Sequence, residues 1–372
     1  MAQPGIEQLT ALLALAFGRP VGIVATERLA PWSATRCAIE GDGEVPASVV
    51  VKWLRDDALS VRIDPRQVAT ERAALEFLAE IGFQAAPRLL AADLAAGVLI
   101  VEDLAPRTPL ADQLRARGPD ALGAELVAFG RTVGELGAAT RGLKARYQAI
   151  RARYGDVDAS VGRERGLGPY WPVAREQLAA LGRPLSTAAE RDLAALTASI
   201  LDPGPFLVFS NGDPHPNNFM TDGRDGRLID FEFADFRHAM VSAVWMHVPG
   251  SAWITVAHPG VVAVEAAFRR ALAAGVPEAE DDALFGAGLA AACLAEGLER
   301  IGRFSVLDAR PAGDSGRLQR VATLEAAAAV ARRHRVLPDL AGWMEETARW
   351  LRRRWPDADV DIAALRPYAP RA

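Results

Sequence analysis

The most informative stretch of this chain is VFSNGDPHPNNFMTDGRDGRLIDFEFADFRH, residues 208–238. Short apolar runs alternate there with polar, glycine-containing segments, a pattern typical of short strands joined by loops and turns. We predict strands at Phe206–Phe209, Phe219–Thr221 and Arg227–Asp230, with a turn at Asp222–Gly226. Most of the polar residues are concentrated in the loop after the first of these strands and directly after the third.

Three oxygen-bearing side chains in this stretch have a spacing that suits one kind of chemistry. Asp213 and Asn218 are five residues apart in the predicted loop, and Asp230 follows Asp213 by 17 residues, across a hairpin that folds the positions together. In phosphoryl transfer, one carboxylate orients the attacking hydroxyl, while an amide oxygen and a second carboxylate hold Mg²⁺. Carboxylate and amide oxygens are ligands that suit this hard cation. The pattern therefore favours phosphoryl transfer.

The first hundred residues predict a small α+β lobe. Ile6–Phe17 has helical periodicity, and apolar runs then predict short strands at Val21–Leu29, Thr35–Glu40 and Ser48–Leu54. Gly41-Asp42-Gly43 is a hairpin signal between the last two strands. An amphipathic helix at Arg66–Ile81 and a strand at Val98–Val101 follow. Strands joined by hairpins and combined with helices indicate an antiparallel sheet.

The remainder of the chain is predicted to be mainly helical. We expect helices at Asp120–Thr140, Pro172–Gly182 and Thr187–Leu201, and four or five more from His238 to about residue 354. Tyr154–Trp171 carries four glycines without a clear period, which predicts an irregular loop. A loop of this length in a compact domain is often functional.

Lysine is rare in this chain. Of 42 basic residues only Lys52 and Lys144 are lysines, and the other 40 are arginines. A retained lysine is a candidate for a task that needs a compact ammonium group on a flexible stem. Lys52 lies at the end of the predicted strand Ser48–Leu54.

Composition excludes several classes of protein. The chain has 372 residues and a formal net charge of −5, without the basic surplus of a nucleic-acid-binding protein. No apolar run reaches the roughly 18 residues of a membrane span, and the first residues do not resemble a signal peptide. Two widely separated cysteines, Cys37 and Cys293, predict reduced thiols in a cytoplasmic protein. HExxH, His/Cys clusters and GxSxG are not found in the sequence, which disfavours zinc enzymes and α/β-hydrolases.

GDPHPNN followed by LIDFEFAD resembles the aminoglycoside phosphotransferase and choline kinase superfamily, whose members share the protein-kinase-like fold. The family pattern is HGD-x-x-x-x-N, then a strand ending in ID-[FW]-E/D. By this resemblance Asp213 matches the catalytic aspartate, and Asn218 and Asp230 match the metal-binding residues. The fold implied is α+β and two-lobed, with a small antiparallel-sheet lobe and a larger, mainly helical lobe.

The resemblance also implies the nucleotide-binding residues. VVVK places Lys52 where the family has its phosphate-binding lysine, and Glu71 would be the ion-pair partner of that lysine. In VLIVEDL, residues Glu102, Asp103 and Leu104 match the hinge that contacts the nucleobase through backbone groups. The implied organisation is an N-terminal nucleotide-binding lobe at residues 1–101, a hinge at 102–106, and a C-terminal catalytic and substrate-binding lobe at 107–372.

The activity implied is Mg²⁺-dependent transfer of the γ-phosphate of ATP, or of GTP, to a hydroxyl of a small molecule. Aminoglycosides, amino-alcohols and sugars are all acceptors on this scaffold, and the sequence does not choose among them. Nucleic acid and membrane are not expected as partners, and the sequence gives no prediction of oligomeric state.

Two departures from the family pattern keep an alternative open. Asn211 stands where the family has a histidine, and the first hairpin has no GxGxxG, so Ala30–Arg36 would cover the phosphates. A kinase-like module that binds nucleotide or a small molecule without transfer is therefore the second hypothesis. A protein kinase is the third and weaker one, because an APE-type segment and a long activation loop are missing after Asp230.

Three further features each have two interpretations. Glu232 is either a second metal contact or part of a surface salt bridge. His215 either buttresses the loop by hydrogen bonding or acts as a general base. Three tryptophans near the predicted cleft either form a cage for a cationic substrate or belong to the core: Trp171, Trp245 and Trp253.

Overall fold

The computed structural model describes residues 4–29, 33–40, 45–54, 64–155, 171–223 and 225–371. The predicted turn at residues 41–43 lies outside these residues, as does most of the predicted loop at 154–171. In chain order the N-terminal elements are α1 (Ile6–Phe17), β1 (Gly22–Arg28), β2 (Ala34–Glu40), β3 (Ser48–Trp53), α2 (Pro65–Glu80), β4 (Leu89–Asp93) and β5 (Val98–Glu102).

The N-terminal strands form one antiparallel sheet in the order β1-β2-β3-β5-β4. Its central strand β3 alternates in burial, with Val49 and Val51 fully buried on one face. Leu9 and Leu13 of α1 belong to the same apolar cluster, so α1 covers that face. Lys52 lies between Val51 and Trp53 on β3 and therefore projects from the opposite face, because successive strand residues alternate sides.

The helix α2 follows this sheet and is well delimited at its start. Asp64 caps it through a capping box with Gln67, and Pro65 occupies the first helical position. Both features favour helix initiation at this point. Its apolar side belongs to the large cluster of the C-terminal part, where the Phe77 ring meets those of Tyr147 and Phe209 at 5.6 and 5.2 Å. The helix therefore connects the two parts of the molecule.

The C-terminal part is mainly helical. Two small sheets interrupt it: a three-stranded sheet of β6 (Thr108–Pro109), β8 (Phe219–Thr221) and β9 (Gly226–Leu228), and a pair of β7 (Leu207–Ser210) with β10 (Asp235–His238). The helices before β7 are α3 (Leu110–Arg117), α4 (Gly123–Thr140), α5 (Lys144–Ala152), α6 (Trp171–Ala180) and α7 (Thr187–Leu201). Those after β10 are α8 (Val261–Ala273), α9 (Asp282–Ile301), α10 (Phe304–Asp308), α11 (Ser315–His334) and α12 (Pro338–Arg354).

The α+β architecture with a small antiparallel-sheet part and a larger helical part agrees with the predicted fold class. The strands β4, β6 and β10 and the helices α3 and α5 were not among the predicted elements. The predicted strand Arg227–Asp230 ends earlier, at Leu228. In the described part of the chain, no helix is both long enough and apolar enough to cross a membrane.

Candidate active site

Three of the predicted site residues meet between the N-terminal sheet and the C-terminal part. The ammonium group of Lys52 donates to Glu71 Oε1 at 2.5 Å and also donates to Asp230 Oδ1. The Glu71 side chain is almost fully buried, whereas those of Lys52 and Asp230 are 12% and 33% exposed. A buried carboxylate needs a charged partner to stay ionised. Glu71 thus holds the ammonium group beside the partly exposed carboxylate of Asp230.

Asp213 lies in the loop after β7, and its carboxylate is well exposed at 43%. The buried Asn218 donates through Nδ2 to the backbone oxygen of Asp213 at 2.9 Å and to its carboxylate Oδ2 at 3.0 Å. His215 Nε2 lies 3.5 Å from the other carboxylate oxygen, Oδ1. The Asp213 carboxylate is therefore held from two sides while remaining accessible.

The loop that carries Asp213 is tied to the segment that carries Asp230. The backbone N–H of Ile229 donates to Asn218 O at 2.9 Å, and Asn211 Nδ2 donates to Ile229 O at 3.0 Å. Both backbone groups of Ile229 are thus bonded to the loop. Asp230 follows with a left-handed φ of 58°, a conformation that aspartate adopts more readily than most residues.

Asn211 accounts for one of the departures from the family pattern. Its side chain is buried, at 1% exposure, and its amide group forms the bond to Ile229 just described. The sequence interpretation treated this residue only as a missing histidine. Its amide instead connects the two segments that carry Asp213 and Asp230, a structural role that an amide donor can perform.

Three residues that the sequence interpretation did not place in the site also shape the loop: Gly212, Ser210 and Ser242. Gly212 has a φ of 87°, and a Cβ added there would lie 2.1 Å from the backbone oxygen of Phe233, so only glycine fits. Its N–H donates to Ser210 Oγ at 3.1 Å, and Ser210 Oγ accepts from Ser242 Oγ at 2.9 Å. The glycine is recognisable from the sequence, but its close approach to Phe233 is not.

The predicted hinge is held to the sheet through Asp103. Its carboxylate accepts from Ser48 Oγ at 2.6 Å, Arg36 Nε at 2.7 Å and the N–H of Ala105 at 3.1 Å. Burial opposes ionisation, but the bonds from Ser48 and Arg36 keep the pKa of Asp103 below its usual range. Glu102 donates its N–H to Arg88 O at 2.9 Å at the end of β5. Asp103 thus positions the backbone of the segment that continues to Leu104.

The structure decides some of the alternatives left by the sequence. Glu232 is only 8% exposed, so it does not lie on the surface of the protein. The three tryptophans proposed for a cage are between 1% and 5% exposed and lie in the large apolar cluster, which makes them core residues: Trp171, Trp245 and Trp253. His215 lies 3.5 Å from the Asp213 carboxylate, a distance that fits both a supporting residue and a general base.

The donor set of this site fits a magnesium ion. Among the described residues there is no group of three or more His, Cys, Asp or Glu side chains that could hold a metal. Asp230 offers a partly exposed carboxylate, and Asn218 directs its amide nitrogen to Asp213. The amide oxygen of Asn218 accepts one hydrogen bond, from Asn217 Nδ2 at 2.9 Å, and its second lone pair could coordinate the ion. Mg²⁺ typically takes one or two carboxylates and completes its shell with phosphate oxygens and water.

The antiparallel sheet with its buried Lys–Glu pair, facing an Asp–Asn loop on a helical part, defines the protein-kinase-like class of fold. A family model described as the phosphotransferase enzyme family, APH, matches residues 41–281. The chain belongs to this family of small-molecule phosphotransferases. No curated protein sequence matches it.

Several solved structures are similar in fold over most of the chain. A choline/ethanolamine kinase family protein from Mesorhizobium loti is 15% identical, with a TM-score of 0.46, and the match covers 91% of this chain and 99% of that one. Choline kinase LicA from Streptococcus pneumoniae is 12% identical, with a TM-score of 0.47 and coverages of 87% and 98%. The gentamicin complex of APH(2")-IIa is 10% identical, with a TM-score of 0.47 and coverages of 93% and 96%.

Proposed function

We propose that this protein transfers the γ-phosphate of ATP, or of GTP, to a hydroxyl of a small molecule in a Mg²⁺-dependent reaction. The observation that carries the proposal is the meeting of Lys52, Glu71 and Asp230 beside the loop that presents Asp213 and Asn218. Residues 1–101 would form the nucleotide-binding lobe, 102–106 the hinge, and 107–372 the catalytic and substrate-binding lobe.

Each residue has a role that its contacts suit. Lys52, oriented by Glu71, would bind the nucleotide phosphates, and Asn218 and Asp230 would hold the metal. Glu102, Asp103 and Leu104 would offer hinge backbone groups to the nucleobase. Mg²⁺, when bound, neutralises the charge on the phosphate oxygens.

Asp213 would act on the acceptor. Its exposed carboxylate would accept a hydrogen bond from the acceptor hydroxyl and take up its proton as the oxygen bonds to the γ-phosphorus. The bond between that phosphorus and the β,γ-bridging oxygen breaks, and ADP or GDP leaves. Such catalysis rests on positioning and electrostatic stabilisation.

Asn211 bears on the alternative of a non-catalytic module. Its substitution for histidine was one argument for that alternative, but the observed bonds keep the loop organised.

The two cysteines, Cys37 and Cys293, are buried and unpaired, which is in keeping with the cytoplasmic location we propose.

Removal of the Asp213 carboxylate tests the proposal. In Asp213→Ala we expect kcat to fall on the order of 10²-fold or more, because the acceptor is no longer oriented, with Mg²⁺-nucleotide binding retained. The measurement is ADP or GDP release with an acceptor found by screening, alongside calorimetric nucleotide binding. Asp339→Ala, which removes an exposed carboxylate at the start of α12, is the matched control. Near-wild-type turnover in Asp213→Ala would refute the assignment.

A further inference from the structure

Four arginines lie near one another in the C-terminal part, and the charge of one of them, Arg300, interacts with that of Asp213. Arg300 is in the last turn of α9 and Arg320 is near the start of α11, two helices that pack together. Arg303 and Arg371 are near enough for their charges to lower the pKa of Arg320. We call these four residues the arginine cluster.

A short chain of contacts connects Arg320 to the Asp213 loop. A Cβ added at Gly250 would lie 2.7 Å from the ring of His215, the residue beside the Asp213 carboxylate. Gln319 Nε2 donates to Gly250 O at 2.5 Å, and Arg320 Nη1 donates to Gln319 Oε1 at 2.7 Å. The guanidinium group of Arg320 is therefore a few contacts away from the Asp213 carboxylate.

Arg300, in the last turn of α9, is also connected to the Asp213 loop. Its Nε donates to Glu296 Oε1 at 2.5 Å. Glu296 raises the pKa of Arg300, and the charges of Asp213 and then Glu299 raise it further. Burial opposes ionisation of Glu296, but Arg300 and then His215 hold the pKa of Glu296 below its usual range.

Two members of the arginine cluster, Arg300 and Arg320, have donor atoms without an acceptor among the described residues. Arg320 is only 6% exposed; its Nε is buried without a hydrogen-bond partner among the described residues, and its one bond is to a neutral amide. Arg300 is 24% exposed, and its Nη atoms donate to no described residue. Among the described residues, Glu296 acts on Arg320 and Asp314 acts on Arg371 through their charges, without a direct salt bridge to either arginine. Burial first, and then Arg300 and Arg371, lower the pKa of Arg320 to about 9.

A buried guanidinium without an anionic partner is costly, and planar guanidinium groups match carboxylate and phosphate oxygens in a two-pronged geometry. We propose that Arg300 and Arg320 form an anion subsite in the acceptor cleft, so that the hydroxyl acceptor also carries a carboxylate or phosphate group. This inference rests on the proposed function, and it names the class of its acceptor. Cationic amines would be repelled by the same residues.

Matched probes isolate the charge of the acceptor. Gluconate and sorbitol differ in a carboxylate, glucose 6-phosphate and glucose differ in a phosphate, and choline and glucosamine supply a positive charge. Each would be titrated calorimetrically into protein saturated with Mg²⁺ and a non-hydrolysable ATP analogue, with inorganic phosphate as the minimal anion. The two anionic arms separate a carboxylate preference from a phosphate preference.

We expect the preferred anionic probe to bind about ten- to hundredfold more tightly than its neutral counterpart, the range of hydrogen bonds to charged groups. Arg300→Gln should abolish the difference, and Arg300→Lys should restore part of it. Arg353→Gln, which removes an exposed arginine of α12, is the matched control and should change nothing. Arg300 is chosen for substitution because it is less buried than Arg320. The variant Arg320→Gln would first be checked for folding by circular dichroism.

Three results would each overturn the proposal. The first is tighter binding of the neutral or cationic probes, and the second is no anion binding in the millimolar range. The third is an unchanged anion affinity in folded Arg300→Gln. Titrations without nucleotide, in wild type and Lys52→Ala, separate this subsite from the proposed phosphate site. Failure of the nucleotide analogue to bind would contradict the proposed function. The anion subsite would still be tested by the dependence of anion binding on Arg300.

Discussion

Burial changes the pKa of individual side chains in this protein, and His238 is the clearest case. Its ring is 2% exposed, Nδ1 accepts from the N–H of Met240 at 3.1 Å, and the ring stacks on Phe206 at 5.4 Å. Burial lowers the pKa of His238 from 6.5 to about 4. From the sequence, His238 is only a histidine without metal-ligand spacing. Its burial could not be predicted, because it depends on residues far away along the chain.

Acid should destabilise the protein through His238. The folded-state pKa lies below the unfolded value, so the unfolded chain binds the proton first as the pH falls from 6.5 toward 4. We expect the free energy of unfolding to lose about 3 kcal/mol from this residue by pH 4, at 1.36 kcal/mol per pH unit. Urea unfolding at several pH values would measure the slope, which should be shallower in His238→Gln. The same slope in both proteins would contradict this assignment.

At the scale of elements, the sequence predicts segments with a clear apolar pattern well and segments without one poorly. The helix Thr187–Leu201 and the strand Phe219–Thr221 have the predicted limits. β10 was missed because its sequence DFRH has little apolar pattern, and it exists through pairing with β7. β4 was missed because its residues are all half-buried, without the alternation that predicts a strand.

The loop between β7 and β8 depends on one glycine whose need only the structure shows. In Gly212→Ala the added Cβ would meet the backbone of Phe233, so we expect the loop to shift and kcat to fall on the order of 10²-fold. Gly223→Ala is a matched control, because Gly223 has nearly the same φ, 88°, but its added Cβ would lie no nearer than 3.6 Å to Glu125.

Product release and thermal unfolding would be compared for these two variants. Gly223→Ala should lose about 1 kcal/mol of stability from the left-handed backbone, and Gly212→Ala should lose more, because its added Cβ also meets the backbone of Phe233. Only Gly212→Ala should lose the rate as well. Equal kcat values in the two variants would show that the close approach of Gly212 to Phe233 is not needed for catalysis.

At the scale of the whole molecule, the two predicted lobes share the largest apolar core through α2, while the sheet face under α1 has a separate cluster. The apolar face of α2, which lies within the predicted N-terminal lobe, belongs to the large cluster of the C-terminal part. The bond from Lys52 to Asp230 joins residues 178 positions apart. Neither fact follows from composition or periodicity, which are local. The pairing of Lys52 with Glu71 was expected only through the family resemblance.

Because the core is shared, the molecule should unfold as one unit. We expect a single calorimetric transition, with equal calorimetric and van't Hoff enthalpies, since α2 cannot leave one part without exposing the other. Phe77→Ala, which removes a fully buried ring at this junction, should lower stability by about 3–5 kcal/mol. Two resolved transitions in wild type, or separate unfolding of the first hundred residues, would contradict a shared core.

The central claim is that a Mg²⁺-nucleotide is held between Lys52 and Asp230, and calorimetric titration tests it most directly. ATP and GTP would each be titrated with and without Mg²⁺ into wild type and Asp230→Ala. We predict that one nucleotide, or both, binds wild type only when Mg²⁺ is present, and that Asp230→Ala weakens this binding. No binding of either nucleotide to folded wild type, or affinity unchanged in Asp230→Ala, would contradict the account.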